Sequence, residues 1–150
     1  VRLRKDAEPR RYEKLVAELG LEGATAVTVC AKHIAEETNR DQPLVSSKIS
    51  HFRWLAARAN YLSADRPECQ LAAKAICRFM AEPTLLSTEA LKRLGRYLKG
   101  QPRLVFKFGR QKAECIDVYS DTDWAGCVRT RRSTSCGCMM AGSHAIKGWS

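Results

Sequence analysis

The sequence predicts an α+β protein, helical first and sheet-like second, with the change near Gly100. Up to that point apolar residues recur at i, i+3, i+4 spacing. Beyond it they fall into short β-prone runs parted by turn residues. With 45% hydrophobic residues in 150, the chain has the apolar content for a core, in one domain or two small ones.

Residues 10–19 put Tyr12, Leu15, Val16 and Leu19 on one helical face and stop at Gly20. From 21 to 47 there is little periodicity apart from the β-prone run Ala26-Val27-Thr28-Val29-Cys30, and Asn39 to Pro43 reads as loop. Ile49, Phe52, Leu55, Ala56, Ala59 and Leu62 then keep a helical rhythm until Asp65-Arg66-Pro67 breaks it. Pro67 suits the first turn of the next helix, where a missing N–H costs nothing. Ala72, Ala75, Ile76 and Phe79 form that helix's stripe, and Glu82-Pro83 ends it. Another helix starts near Ser87 as its N-cap, with Glu89 in the first turn, and closes at Gly100 before Pro102. Such short links make the helices neighbours. Strands are expected at Leu104–Phe108, Cys115–Tyr119, Gly137–Met140 and Ala145–Trp149, with turn residues at Gly109, Gly126 and Gly142-Ser143.

A formal charge of +10 favours a polyanionic partner, nucleic acid first. Seven cysteines are an odd count, far below the density of disulfide-stapled secreted domains, so an intracellular setting, cytoplasmic or nuclear, is expected. No apolar run approaches the roughly 20 residues of a membrane span, and the opening Val1-Arg2-Leu3-Arg4-Lys5 is no signal peptide. The absence of a starting Met points to a piece of something longer.

In the last helix Leu91, Leu94 and Leu98 share one side, while Lys92, Arg96 and Lys99 lie nearly opposite with Arg93 on their flank. The spacing leaves open a plain solvated face or a row that tracks phosphates. Along Ile116 to Gly126, alternation places Ile116 and Val118 on one face and Asp117, Tyr119, Asp121 and, if the strand persists, Asp123 on the other. Residues two apart on a strand lie roughly 6 to 7 Å apart, close enough for two carboxylates to address one Mg²⁺. The alternative is turn chemistry, with the aspartates accepting from nearby backbone N–H groups. Arg129, Arg131 and Arg132 follow as a basic turn that suits phosphate or simply solvent. Cys127, Cys136 and Cys138 lack a matching second pair, so no zinc is expected.

The blocks Phe52-Arg53-Trp54-Leu55 to Leu62, Asp65-Arg66-Pro67-Glu68, Cys77-Arg78-Phe79-Met80 and Leu91 to Gly100 resemble the downstream end of a copia-type retrotransposon reverse transcriptase. Tyr119-Ser120-Asp121-Thr122-Asp123-Trp124-Ala125-Gly126, Arg132-Ser133-Thr134-Ser135 and Ile146-Lys147-Gly148-Trp149 resemble the opening strands of the ribonuclease H domain that follows it in the Pol polyprotein. The resemblance implies three segments: 1–48, the end of the palm or thumb region; 49–100, a helical thumb-and-connection-like segment; and 101–150, the first three antiparallel strands of a truncated ribonuclease H-like fold. It implies that Asp121 is a Mg²⁺-bridging carboxylate of two-metal hydrolysis, with Asp123 a weaker candidate ligand. It further implies an RNA/DNA hybrid and the rest of the polyprotein as partners; no membrane partner is expected, for want of a long apolar run. No Tyr-x-Asp-Asp string is present, and the partner carboxylates of Asp121 would lie past Ser150, so the chain is expected to hold nucleic acid without processing it. Cys136, Phe52 and Glu68 depart from the usual Gly, Tyr and Asp, which fits a second expectation, a non-catalytic basic nucleic-acid-binding or scaffolding remnant of a decayed element.

Overall fold

The computed structural model describes residues 3–6, 9–31, 42–127 and 130–150, with side chains from Tyr12 onward. They form two units, Ala7–Leu104 and Val105–Ser150 with Val1–Asp6.

The helical unit begins with α1 (Pro9–Glu18), which buries Leu15 and Val16. Gly20 at φ 64° ends it in a left-handed cap. Its N–H donates to the Ala17 carbonyl at 2.9 Å and that of Leu21 to the Val16 carbonyl at 3.0 Å, the paired bonds that close a glycine-terminated helix. Leu19 and Leu21 then lie where a side chain at Gly95 would stand. The bare Gly95 lets the end of α1 approach the fourth helix closely.

The β-prone run 26–30 forms no strand, contrary to the local propensity. Polar groups in and around this run bond to distant parts of the unit instead. The Lys99 ammonium donates to the carbonyls of Glu22 and Ala24, and the Cys30 thiol donates to the Glu68 carbonyl at 3.2 Å. Propensity gives way because no strand edge of this unit stands beside the run among the described residues.

Helix α2 (Ser46–Ser63) buries Phe52, Leu55, Ala56, Ala59 and Leu62, as the spacing predicts. A 3₁₀ turn (Pro67–Cys69) leads into α3 (Gln70–Cys77), which buries Ala72, Ala73 and Ile76. This helix stops at Cys77, short of the expected Glu82. Phe79 and Met80 close into tight i→i−3 turns, and the Arg53 guanidinium donates to the Met80 and Ala81 carbonyls at 2.7 and 3.0 Å. Those carbonyls are satisfied by a side chain, so the helix need not continue.

Helix α4 (Leu85–Gly100) is capped by Thr84, not by Ser87. Ser87 sits at the third helical position and closes the box. Its N–H donates to Thr84 Oγ1 at 3.2 Å, while its hydroxyl accepts from the Thr84 N–H at 2.9 Å. Leu91, Leu94 and Leu98 are fully buried and meet Leu15, Phe52, Leu55 and Ile76 in one core. Inside this apolar shell lies Arg66, only 2% exposed. Its Nε donates to Glu68 Oε1 at 2.5 Å and its Nη2 to the Gln101 carbonyl at 2.9 Å, joining the α2–α3 corner to the end of α4.

In the sheet unit, β1 (Leu3–Asp6) pairs antiparallel with β2 (Val105–Phe108), Leu3 opposite Phe108. Separately, β3 (Ile116–Thr122), β4 (Ser135–Ala141) and β5 (His144–Trp149) form a three-stranded antiparallel meander in that order. Gly142 at φ 55° makes the last turn. The Gln111 amide brackets it, donating to the Ala141 carbonyl at 2.5 Å and accepting from the Ser143 N–H at 3.1 Å. The molecule is thus α+β, as predicted. Among the described residues no helix is long and apolar enough to cross a membrane.

Candidate nucleic-acid interface

The four cations predicted on α4 differ in their surroundings. Lys92 is exposed, and Arg93 and Arg96 are partly buried. The Nε of each arginine is shielded from solvent and has no hydrogen-bond partner among the described residues. A donor shielded from water is shielded from a phosphate oxygen as well, so a phosphate contact here would fall to the Nη groups of these guanidinium forks. Lys99 serves differently. Its ammonium holds the loop at Glu22 and Ala24, 2.7 Å from the latter's carbonyl.

Arg131 and Arg132 sit in the sheet unit, exposed in the link between β3 and β4, while Arg129 lies outside the described residues. The link is internally bonded: the Arg131 N–H donates to the Cys127 carbonyl at 2.7 Å and the Cys127 N–H to the Arg132 carbonyl at 3.2 Å. In the same link Trp124 is 93% exposed.

Asp121 lies on β3 directly opposite Cys136, with Tyr119 opposite Cys138 and Asp117 opposite Met140, so these side chains share one face as alternation predicts. Asp121 Oδ1 accepts from the Thr122 N–H at 2.8 Å. Asp123 is past the strand end, where the sequence left two roles open, and the geometry shows turn chemistry. Its carboxylate accepts from the Thr134 N–H, its own N–H donates to the Thr134 carbonyl at 3.1 Å, and its side chain packs at Gly126. Among the described residues no three His, Cys, Asp or Glu side chains gather as a metal site. One exposed carboxylate does not meet the six oxygens of Mg²⁺, so the residues described do not form its site by themselves.

None of the seven cysteines is in a disulfide. Burial, and then the charge of Glu68, pushes the Cys69 thiol from 9.0 up to about 12. Because the folded value is raised, the stability gained from the neutral thiol is complete below about pH 9 and is lost as pH climbs toward 12. Iodoacetamide at pH 8 is expected to label the exposed Cys115 and Cys136 well before Cys69. Peptide mass mapping over time checks this, and equal labelling rates would contradict it.

Sequence reasoning missed the outer face of α2, where the Trp54 ring stacks on His51 and carries Arg58 over it. The available signal was compositional: Ser46–Ser63 contains no Asp or Glu.

This chain is homologous to copia-type retrotransposon Pol polyproteins, as the resemblance implied. Over 101 residues it is 37% identical to the uncharacterized mitochondrial protein AtMg00810 of Arabidopsis thaliana, covering 67% of this chain and 42% of that protein. Over 101 residues it is 33% identical to the retrovirus-related Pol polyprotein from transposon RE1 of the same plant, covering 67% of this chain and 7% of the polyprotein. A stretch of 70 residues is 39% identical to secreted RxLR effector protein 161 of Plasmopara viticola, covering 47% of this chain and 49% of that protein. The chain therefore spans less than half the length of each of these relatives. No protein-family model matches it, and no solved structure does.

Proposed function

We propose that this chain is the part of a retrotransposon Pol polyprotein where reverse transcriptase gives way to ribonuclease H, and that it holds an RNA/DNA hybrid without processing it. In this proposal residues 49–100 end the reverse transcriptase, and the β3–β5 meander opens a ribonuclease H-like domain. The homology supports the polyprotein context. The observation that carries the binding is the pair of partly exposed α4 guanidinium groups, Arg93 and Arg96, one turn apart. Lys92 adds charge beside them, and Arg131 and Arg132, exposed in the sheet unit, are proposed as phosphate contacts of that unit by itself. Asp121 is proposed as one carboxylate among several that would surround Mg²⁺ in the polyprotein. A cytoplasmic or nuclear setting completes the proposal.

A second reading, a non-catalytic nucleic-acid-binding remnant, is favoured by the engagement of Asp123 in the turn. Both readings need the α4 row. For an RNA/DNA hybrid titrated at several salt concentrations, log K is expected to fall linearly with log salt. Arg93→Gln and Arg96→Gln should each reduce that slope by about one contact. A flat response in the unaltered protein would remove the phosphate contact, and unchanged slopes in both variants would remove α4 from it.

A further inference from the structure

Helix α2 turns an unusual stripe to solvent. Ser47, Ser50, His51, Trp54, Ala57, Arg58 and Tyr61 fall within about 60° of Trp54 around the helix at 100° per residue. Six of them are exposed and Arg58 is partly buried. Trp54 is 42% and Tyr61 65% exposed. Along this stripe the His51 and Trp54 rings stack with centroids 6.0 Å apart and planes 22° from parallel. Arg58 Cζ lies 4.6 Å from the centroid of the Trp54 ring. Resting on the indole fixes the guanidinium fork while leaving its N–H groups without a hydrogen-bond partner among the described residues. The helix carries Lys48, Arg53 and Arg58 and no carboxylate over 18 residues, in a chain that has 16 Asp and Glu.

We propose that the His51–Trp54–Arg58 stripe of α2 is a binding surface for single-stranded nucleic acid, with Arg58 on a backbone phosphate and unpaired bases against the exposed aromatic rings. The acid-free composition of the helix and the open guanidinium of Arg58 match a polyanion, which sets this face apart from an ordinary solvated one bearing both signs of charge. Exposed rings select the single strand, because bases held in a duplex cannot unstack onto them. The surface is distinct from the α4 row and does not depend on it.

The test uses the full chain, a labelled oligouridylate of about 12 nucleotides and an RNA/DNA hybrid of like length, read by fluorescence anisotropy. Trp54→Leu is expected to weaken oligouridylate binding about tenfold, as loss of one stacked base would, while hybrid binding changes less than about twofold. Trp54→Phe should restore most of the affinity. Arg58→Gln, chosen in case the leucine variant fails to fold, should also weaken oligouridylate binding and flatten its salt dependence by about one contact. Arg93→Gln with Arg96→Gln should spare the single strand and impair the hybrid, which separates this surface from the α4 row. Failure of the wild-type chain to bind oligouridylate would overturn the proposal. So would oligouridylate affinity within about twofold of wild type in both α2 variants, or equal losses for hybrid and single strand.

Discussion

Glu68→Ala is expected to lower the stability of the helical unit by about 3 kcal/mol, because it strands the Arg66 charge in a nearly dry site. Arg66 is 2% exposed, and Glu68 Oε1, 2.5 Å from its Nε, is the only carboxylate that answers it among the described residues. The remaining bond to the Gln101 carbonyl neutralises no charge. Glu68→Gln keeps an acceptor and should lose less; Glu68→Asp should fall between them, its shorter arm no longer reaching the fork. Urea unfolding followed by helical circular dichroism measures the series. A loss below about 1 kcal/mol for the alanine variant would mean that solvent reaches Arg66 in place of the carboxylate.

Leu94→Ala should cost about 3 kcal/mol, within the range of roughly 2 to 5 found when a fully buried leucine is truncated and its cavity cannot collapse. Leu94 is 0% exposed, between the equally buried Leu91 and Leu98, in a core closed by α1, α2 and α3. Lys92→Ala, two residues earlier on the exposed side, is the control and should change stability by less than about 0.5 kcal/mol. Equal effects at the two positions would mean that α4 is not seated by its leucine face.

The apolar spacing of α2 and α4, the stop at Gly20 and the β3–β5 strands were legible because each is written in neighbours within one or two turns. The shared face of Asp117, Tyr119 and Asp121 followed from alternation alone. Two nearby details escaped. Thr84 and Ser87 both suit a cap, and only the reciprocal bonds decide between them. Asp123 has the composition of a ligand and of a turn residue, and the Thr134 N–H eleven residues away makes it the latter. The α2 stripe was missed for another reason: attention to the buried half of an amphipathic helix passes over an outer face marked by what it lacks.

By itself the sequence determined that the chain is helical first and sheet-like second, where α2, α4 and the β3–β5 strands form, which of their faces are apolar, and that the chain carries an excess of cations. Those properties are sums over adjacent residues, so they survive in any arrangement of the parts. Tertiary structure decided which cations are committed to bonds within the fold. Lys99 and Arg96 look alike along the helix, yet one reaches carbonyls 75 and 77 positions away while the other keeps an unpaired donor. It likewise decided that β2 pairs with a strand from the opposite end of the chain, and that Arg66 is buried against Gln101, 35 residues on. Contacts closed over such loops follow from the free energy of the whole fold, so local spacing does not encode them.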